Sequence, residues 1–147
     1  MGLVNERVLV VDDEPSAREI LSSWLRDAGY EPLTASNGYD GLMLASQESP
    51  DLVVSDIVMP QMDGYEFCRM IRELTHSPII VLTGLPESEC ARKSFSIGVD
   101  EFLTKPVSNR KFLSRVDGLL HGLRMSGPGM IHMMSKKTQG FAIEDQN

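Results

Sequence analysis

The chain has 147 residues, 41% hydrophobic and 24% charged, the balance of an ordinary globular protein and not of a disordered one. Twenty-one acidic residues against fourteen basic ones leave a formal charge of −7. That argues against a sequence-independent nucleic-acid binder, which meets phosphates with a cationic face, and against a polybasic membrane anchor.

Taken in chain order, short apolar runs alternate with helical patterns. Val8-Leu9-Val10-Val11 is a buried-strand run that stops at Asp12-Asp13-Glu14. Ala17, Ile20, Leu21, Trp24, Leu25 and Ala28 then recur at helical spacing, with Pro15 suited to the first turn and Gly29 to the stop. Glu31 to Ser36 predicts a less apolar edge strand closed by Asn37-Gly38, followed by a modest helix around Leu42, Met43 and Ala45. Leu52-Val53-Val54 leads into Ser55-Asp56, a strand ending on a carboxylate. Pro60 and Gly64 bracket a loop, and Tyr65, Phe67, Cys68, Ile71 and Leu74 predict a third helix. Pro78 to Thr83 is the fourth strand, Cys90 to Gly98 a weaker fourth helix, and Phe102 to Lys105 a fifth strand cut off by Pro106. Phe112, Leu113, Val116, Leu119, Leu120 and Leu123 give the cleanest amphipathic stripe.

Five strands alternating with five helices predict a doubly wound α/β domain over 5–122, because parallel neighbours need a crossover between them. Near-continuous apolar strands agree, being covered on both faces. Residues 123–147 hold four of the nine methionines and the Gly127-Pro128-Gly129 breaker. They read as a flexible tail or truncated linker, or else as a Met-rich segment that docks on a partner. Two cysteines, Cys68 and Cys90, are too few and too far apart for a disulfide framework, a redox pair or a zinc knuckle. No run approaches the roughly 18 apolar residues of a membrane span. The N-terminus lacks a signal-peptide layout, and Glu6 spoils a myristoylation reading of Gly2. Reduced thiols and these absences predict a cytoplasmic protein with no membrane partner.

The chemistry-bearing residues sit where strands end, which in open parallel sheets is where ligands bind. Asp12 and Asp13 follow the first strand, Asp56 the third, Thr83 the fourth and Lys105 the fifth. Clustered carboxylates repel, and a hard divalent cation such as Mg2+ relieves that repulsion while sharing its shell with phosphate oxygens. Lys105 offers a compact positive charge to a phosphoryl oxygen, Thr83 a hydroxyl donor, and Asp56 a nucleophilic carboxylate able to form an acyl phosphate. Each piece alone has a plainer reading. Asp12-Asp13-Glu14 before Pro15 also suits helix capping and dipole compensation, Asp63-Gly64 suits a turn, and Lys105 suits a solvated surface. Their joint placement at four strand ends is what selects the chemistry.

The runs Val10-Val11-Asp12-Asp13-Glu14-Pro15, Asp56 to Gly64, Val81-Leu82-Thr83-Gly84 and Lys105-Pro106 resemble the receiver domain of two-component response regulators over about 5–122. The resemblance implies a flavodoxin-like fold with strand order 2-1-3-4-5 and a regulatory phosphoacceptor, not an enzyme acting on a separate substrate. Asp56 would take a phosphoryl group from a histidine kinase or phosphotransfer protein. Asp13, Asp56 and the backbone carbonyl of Val58 would bind Mg2+, with Asp12 acting largely through water. Thr83 and Phe102 match the switch pair, the aromatic moving inward as the hydroxyl moves to the phosphoryl group, and Lys105-Pro106 matches a cis peptide that aims the lysine. Val58 and Leu85 stand where the family tunes hydrolysis, and two apolar side chains there predict slow autodephosphorylation. The region holding Arg92, Lys93, Asp100, Glu101, Arg110, Lys111 and Arg115 corresponds to the family's output face, which in some members dimerises on phosphorylation. Two rivals fit less well. A Mg2+-dependent phosphatase with an aspartyl nucleophile wants an Asp two residues after the first strand's Asp, where Glu14 stands, and no segment caps a substrate. A flavodoxin-like electron carrier wants hydroxyls or glycines where the acidic run lies.

Overall fold

The computed structural model describes residues 5–86, 93–94 and 96–122. Strands β1 (Arg7–Val11), β2 (Glu31–Ala35), β3 (Leu52–Ser55), β4 (Ile79–Thr83) and β5 (Glu101–Thr104) form one parallel sheet in the order β2-β1-β3-β4-β5. Helices α1 (Pro15–Asp27), α2 (Gly38–Glu48), α3 (Gly64–Leu74) and α4 (Asn109–His121) are described throughout, the last being the fifth predicted helix. Of the predicted fourth helix, Lys93, Ser94, Ser96 and Ile97 are helical. Its Cys90, Ala91 and Phe95, together with Leu123 and the 123–147 segment, lie outside the described residues.

Alternation along each strand divides the apolar side chains between two cores. Leu9, Val11, Val53, Ile79, Val81 and Phe102 face one side, where α2 and α3 supply Ala45, Phe67, Cys68 and Ile71. Val8, Val10, Leu52, Val54, Ile80, Leu82 and Leu103 face the other, covered by Leu21 and Leu25 of α1 and by Phe112 and Val116 of α4. The Trp24 and Phe112 rings meet there at 6.0 Å between centroids and 46°, a tilted pairing that adds to plain area burial. Covering both faces explains why β1, β3 and β4 read as unbroken apolar runs.

β2 is an edge, as its mixed composition predicts, and it is blunted. Glu31 N–H donates to Glu6 O and Ala35 O accepts from Asp12 N–H, so residues 31, 33 and 35 face β1. In a parallel ladder the alternate residues, Pro32 and Thr34, then turn outward, and proline has no N–H to offer an incoming strand.

Helix ends follow local chemistry. After α1, Tyr30 N–H bonds Leu25 O at 2.9 Å while Gly29 takes a φ of +94°, a Schellman stop. Asn37 does more than close β2: its side chain accepts from Asp40 N–H at 2.8 Å and caps α2, which therefore starts earlier than its apolar residues suggest. Asp63 likewise caps α3 through Glu66 N–H at 2.9 Å, so Asp63-Gly64 opens a helix and is not a free turn. At the opposite end of the sheet from the strand C-termini, Tyr30 bonds Asp117 and stacks on His121, whose Nε2 meets Glu6 at 2.8 Å. These contacts fasten the end of α4 to the entrance of β1 and β2. Among the described residues, no helix is long and apolar enough to cross a membrane.

Candidate functional site

The chain runs from β1 outward to β2 and then back across to β3, so the crevice between the C-terminal ends of β1 and β3 is where the strand order reverses. Asp12 and Asp13 lie on one lip and Asp56 on the other. The geometry is set by backbone: Asp12 N–H bonds Ala35 O and Asp56 N–H bonds Val11 O, at 3.2 and 3.1 Å. Asp12 and Asp56 are 2% and 7% exposed, whereas Asp13 is open to solvent. Among the described residues, these three form the one cluster of potential metal-ligating side chains whose ligand atoms come within 4.8 Å of one another.

Lys105 closes the site from β5. Its N–H bonds Thr83 O at 2.8 Å, and the Lys105-Pro106 peptide is cis. Nζ reaches Asp12 Oδ2 at 2.8 Å, Asp56 Oδ2 at 3.0 Å and Glu14 Oε1 at 3.6 Å. Burial pulls the ammonium pKa down, but hydrogen bonds and attraction to Asp12 and Asp56 outweigh it, so the net shift is upward and the charge is secure. Asp56 Oδ1, the other oxygen, accepts from Ile57 N–H at 2.6 Å and Val58 N–H at 3.3 Å. The nucleophile candidate is therefore gripped at both oxygens, with its reactive end directed at the lysine and the acidic lip.

The floor depends on Gly64. Its N–H bonds Ile57 O at 2.8 Å, and a Cβ there would lie 2.0 Å from Asp56 O and 2.6 Å from Ile57 Cα. Only glycine lets α3 seat this close under the Asp56 turn. Thr83 is wholly buried at the end of β4, its Oγ1 accepting from Leu85 N–H at 3.4 Å. Phe102 is 9% exposed and its ring already lies in the core shared with α2 and α3. Val58 is 58% exposed and Leu85 half-buried, so apolar side chains flank the site.

Asp12, Asp13, Asp56 and Lys105 thus meet, with Thr83 behind Lys105 through the strand bond. Two contributors escape a sequence reading. Arg18 bonds Asp12 O from one turn into α1, at 2.7 Å, and carries no signal in the sequence. Gly64 does carry one, since it directly follows a capping Asp. On the charged face, Asp100 pairs with Arg72 and Glu101 with Arg115, both at 3.7 Å, and Lys93 sits 4.4 Å over the Tyr65 ring. Arg110 and Lys111 are exposed, and Arg92 lies outside the described residues.

The three carboxylates suit Mg2+: all donors are hard oxygens, two are held rigidly by backbone, and the third is free to reach water. Among the described residues, no cysteine or histidine accompanies them to favour a softer metal.

A sequence profile of the response regulator receiver domain matches residues 8–117. "Probable transcriptional regulator ycf27" of Porphyra purpurea is 43% identical over 115 residues, 78% of this chain and 47% of that protein. "Alkaline phosphatase synthesis transcriptional regulatory protein PhoP" of Bacillus subtilis is 36% identical over 126 residues, 85% of this chain and 52% of that one. The chain spans about half the length of these relatives. Among solved structures, chemotaxis protein CheY4 of Vibrio cholerae superposes with a TM-score of 0.76 at 33% identity, covering 80% of this chain and all of that one. A CheY-like receiver domain protein from Methanospirillum hungatei gives 0.79 at 28% identity, covering 84% and 100%.

Proposed function

Because the chain belongs to the response regulator receiver family, we propose that it is a regulatory phosphoacceptor and that Asp56 carries the phosphoryl group. The observation that supports this most directly is the grip on Asp56. The carboxylate is buried and fixed by Ile57 N–H, yet its Oδ2 faces Lys105 beside the acidic lip. An Asp56 oxygen attacks the phosphorus of a phosphohistidine donor, an O–P bond forms, and the P–N bond breaks. Its electron pair leaves on the imidazole nitrogen, giving an acyl phosphate. Lys105 balances charge on the transferred group, and the Thr83 hydroxyl donates to one of its oxygens, drawing on the strand bond that links the two residues. Asp13, Asp56 and the Val58 carbonyl would hold Mg2+, with Asp12 acting largely through water, and the cation would supply charge neutralisation to the transferred group.

Removal of the group needs a positioned water. Neither Val58 nor Leu85 offers a hydrogen-bonding side chain to orient one, so the acyl phosphate is long-lived. The donor is a histidine kinase or phosphotransfer protein. Output passes through the face of β5, α4 and the predicted fourth helix, with Thr83 and Phe102 as the switch pair and a homodimer formed on phosphorylation. The relatives' names make transcriptional control the output we favour, exerted without DNA contact by residues 5–122 in a chain of charge −7.

Intact mass after incubation with Mg2+ and a small phosphodonor tests the reading. Wild type gains one phosphoryl mass and Asp56→Ala gains none. Equal gain by both moves the acceptor elsewhere, and decay of the wild-type adduct within seconds refutes slow hydrolysis. Sedimentation of the two forms tests the dimer.

A further inference from the structure

Lys105 has three carboxylates within reach, and they differ in kind. Asp12 Oδ2 and Asp56 Oδ2, at 2.8 and 3.0 Å, belong to the cation-ligating cluster. The ammonium therefore holds carboxylates that a divalent cation needs. Glu14 Oε1, at 3.6 Å, does not belong to the cluster and its side chain is 64% exposed. Glu14 stands at the N-cap of α1 yet makes no side-chain capping bond. Its backbone is pinned all the same, because Glu14 N–H donates to Asp12 Oδ1 at 3.0 Å. The result is a carboxylate fixed by its main chain beside the cluster and extending past it toward the ammonium.

We propose that Glu14 is a positioning residue that receives Lys105 when a divalent cation takes Asp12 and Asp56, and so eases loading of the site. The proposal rests on the cation reading given above. Once a dication is bound, an ammonium left in contact with the same carboxylates is repelled by it, and an ammonium driven into water loses every ion pair. Moving outward onto Glu14 avoids both. The flexible lysine stem permits that swing, and a compact ammonium accepts a new carboxylate without the fixed fork geometry of arginine. Because the Glu14 side of the pair is largely exposed, solvent screens it toward the worth of a surface ion pair, so the effect is modest. A different role for Glu14, as a fixed negative charge that attracts the cation directly, is separable because it does not pass through Lys105.

The test is calorimetric titration of the unphosphorylated full chain with Mg2+, for wild type, Glu14→Gln, Lys105→Met and the double variant. Glu14→Gln is expected to weaken Mg2+ binding by about threefold to fivefold in wild type. In the Lys105→Met background the same change is expected to alter the Kd by less than about 1.5-fold, since the two residues act as one unit. An equal factor in both backgrounds overturns the proposal and makes Glu14 a fixed charge, and no effect in wild type overturns it outright. Failure of wild type to bind Mg2+ at all is a separate outcome, which removes the cation reading itself and the proposal with it.

Discussion

Replacing Gly64 with alanine adds one methyl group at the tightest backbone approach in the site. The new Cβ would sit 2.0 Å from Asp56 O, 2.6 Å from Ile57 Cα and 2.9 Å from the Asp56 carbonyl carbon. All three neighbours are main-chain atoms, so no side chain can rotate away, and α3 must lift or the Asp56 turn must move by about an ångström to restore ordinary contact. Overpacking of this kind costs about 1–3 kcal/mol, and backbone-only contacts place Gly64→Ala near 3. At about 2.1 cal/mol/K per residue, a domain spanning 5–122 has an unfolding entropy near 0.25 kcal/mol/K, so the Tm should fall by roughly 12 °C. Two controls calibrate the result. Gly38→Ala meets the Met62 side chain, Sδ at 2.7 Å, which can yield, and Gly84→Ala meets nothing within 4 Å. Thermal denaturation followed by circular dichroism should rank the losses Gly64 far above Gly38, with Gly84 near zero. Phosphorylation of folded Gly64→Ala, measured by intact mass at low temperature, should also be slowed because Asp56 is displaced. If Gly64→Ala melts alongside the Gly84 control, the close approach is not tight and the reasoning is wrong.

The Lys105 shift fixes the sign of a pH dependence. Its folded pKa is raised, so its stabilising contribution is complete below the ordinary lysine value of about 10.4 and fades only as pH climbs through the higher folded value. The urea stability difference between wild type and Lys105→Met should therefore stay flat from about pH 6 to 9; a difference that halves by about pH 8 would sink this account. Burial pushes the Cys68 thiol up from 9.0 to about 12, against the pull of Arg72. Peptide mapping after alkylation of native protein at about pH 8 should leave Cys68 unlabelled until denaturant is added, whereas rapid native labelling contradicts its burial.

Hydrophobic periodicity carries the strands and their order of burial into view because β1, β3 and β4 are covered on both faces, leaving no polar residue to blur the runs. The strand-end residues are legible for a related reason: Asp12, Asp56, Thr83 and Lys105 each lie at or just past the end of a strand, and parallel topology sends all of those ends to one rim. Helix starts are less legible. Asn37 and Asp63 act through side-chain bonds to N–H groups three residues on, so α2 and α3 begin before any apolar residue announces them. Contacts between distant segments leave no periodic trace at all. Tyr30 with Asp117, separated by 87 residues, and Glu14 with Lys105 are products of folding that neither partner's neighbours foretell. Arg115 and Glu101 look like free surface charge in the sequence, yet they face each other on adjacent elements.

The two-sided core has an implication for how this domain responds to change. Its sheet works as a septum. Side chains of the α2–α3 compartment and those of the α1–α4 compartment belong to separate clusters, and only the strand backbones are common to both. Paired substitutions placed on opposite sides, such as at Ile71 and Val116, should act as independent sites with additive losses. Thr83 and Phe102 sit on one side of that wall and Phe112 on the other. A disturbance beginning at the rim therefore repacks the α2–α3 compartment first, and reaches α4 through the strands and through the Glu101–Arg115 pair that joins β5 to it.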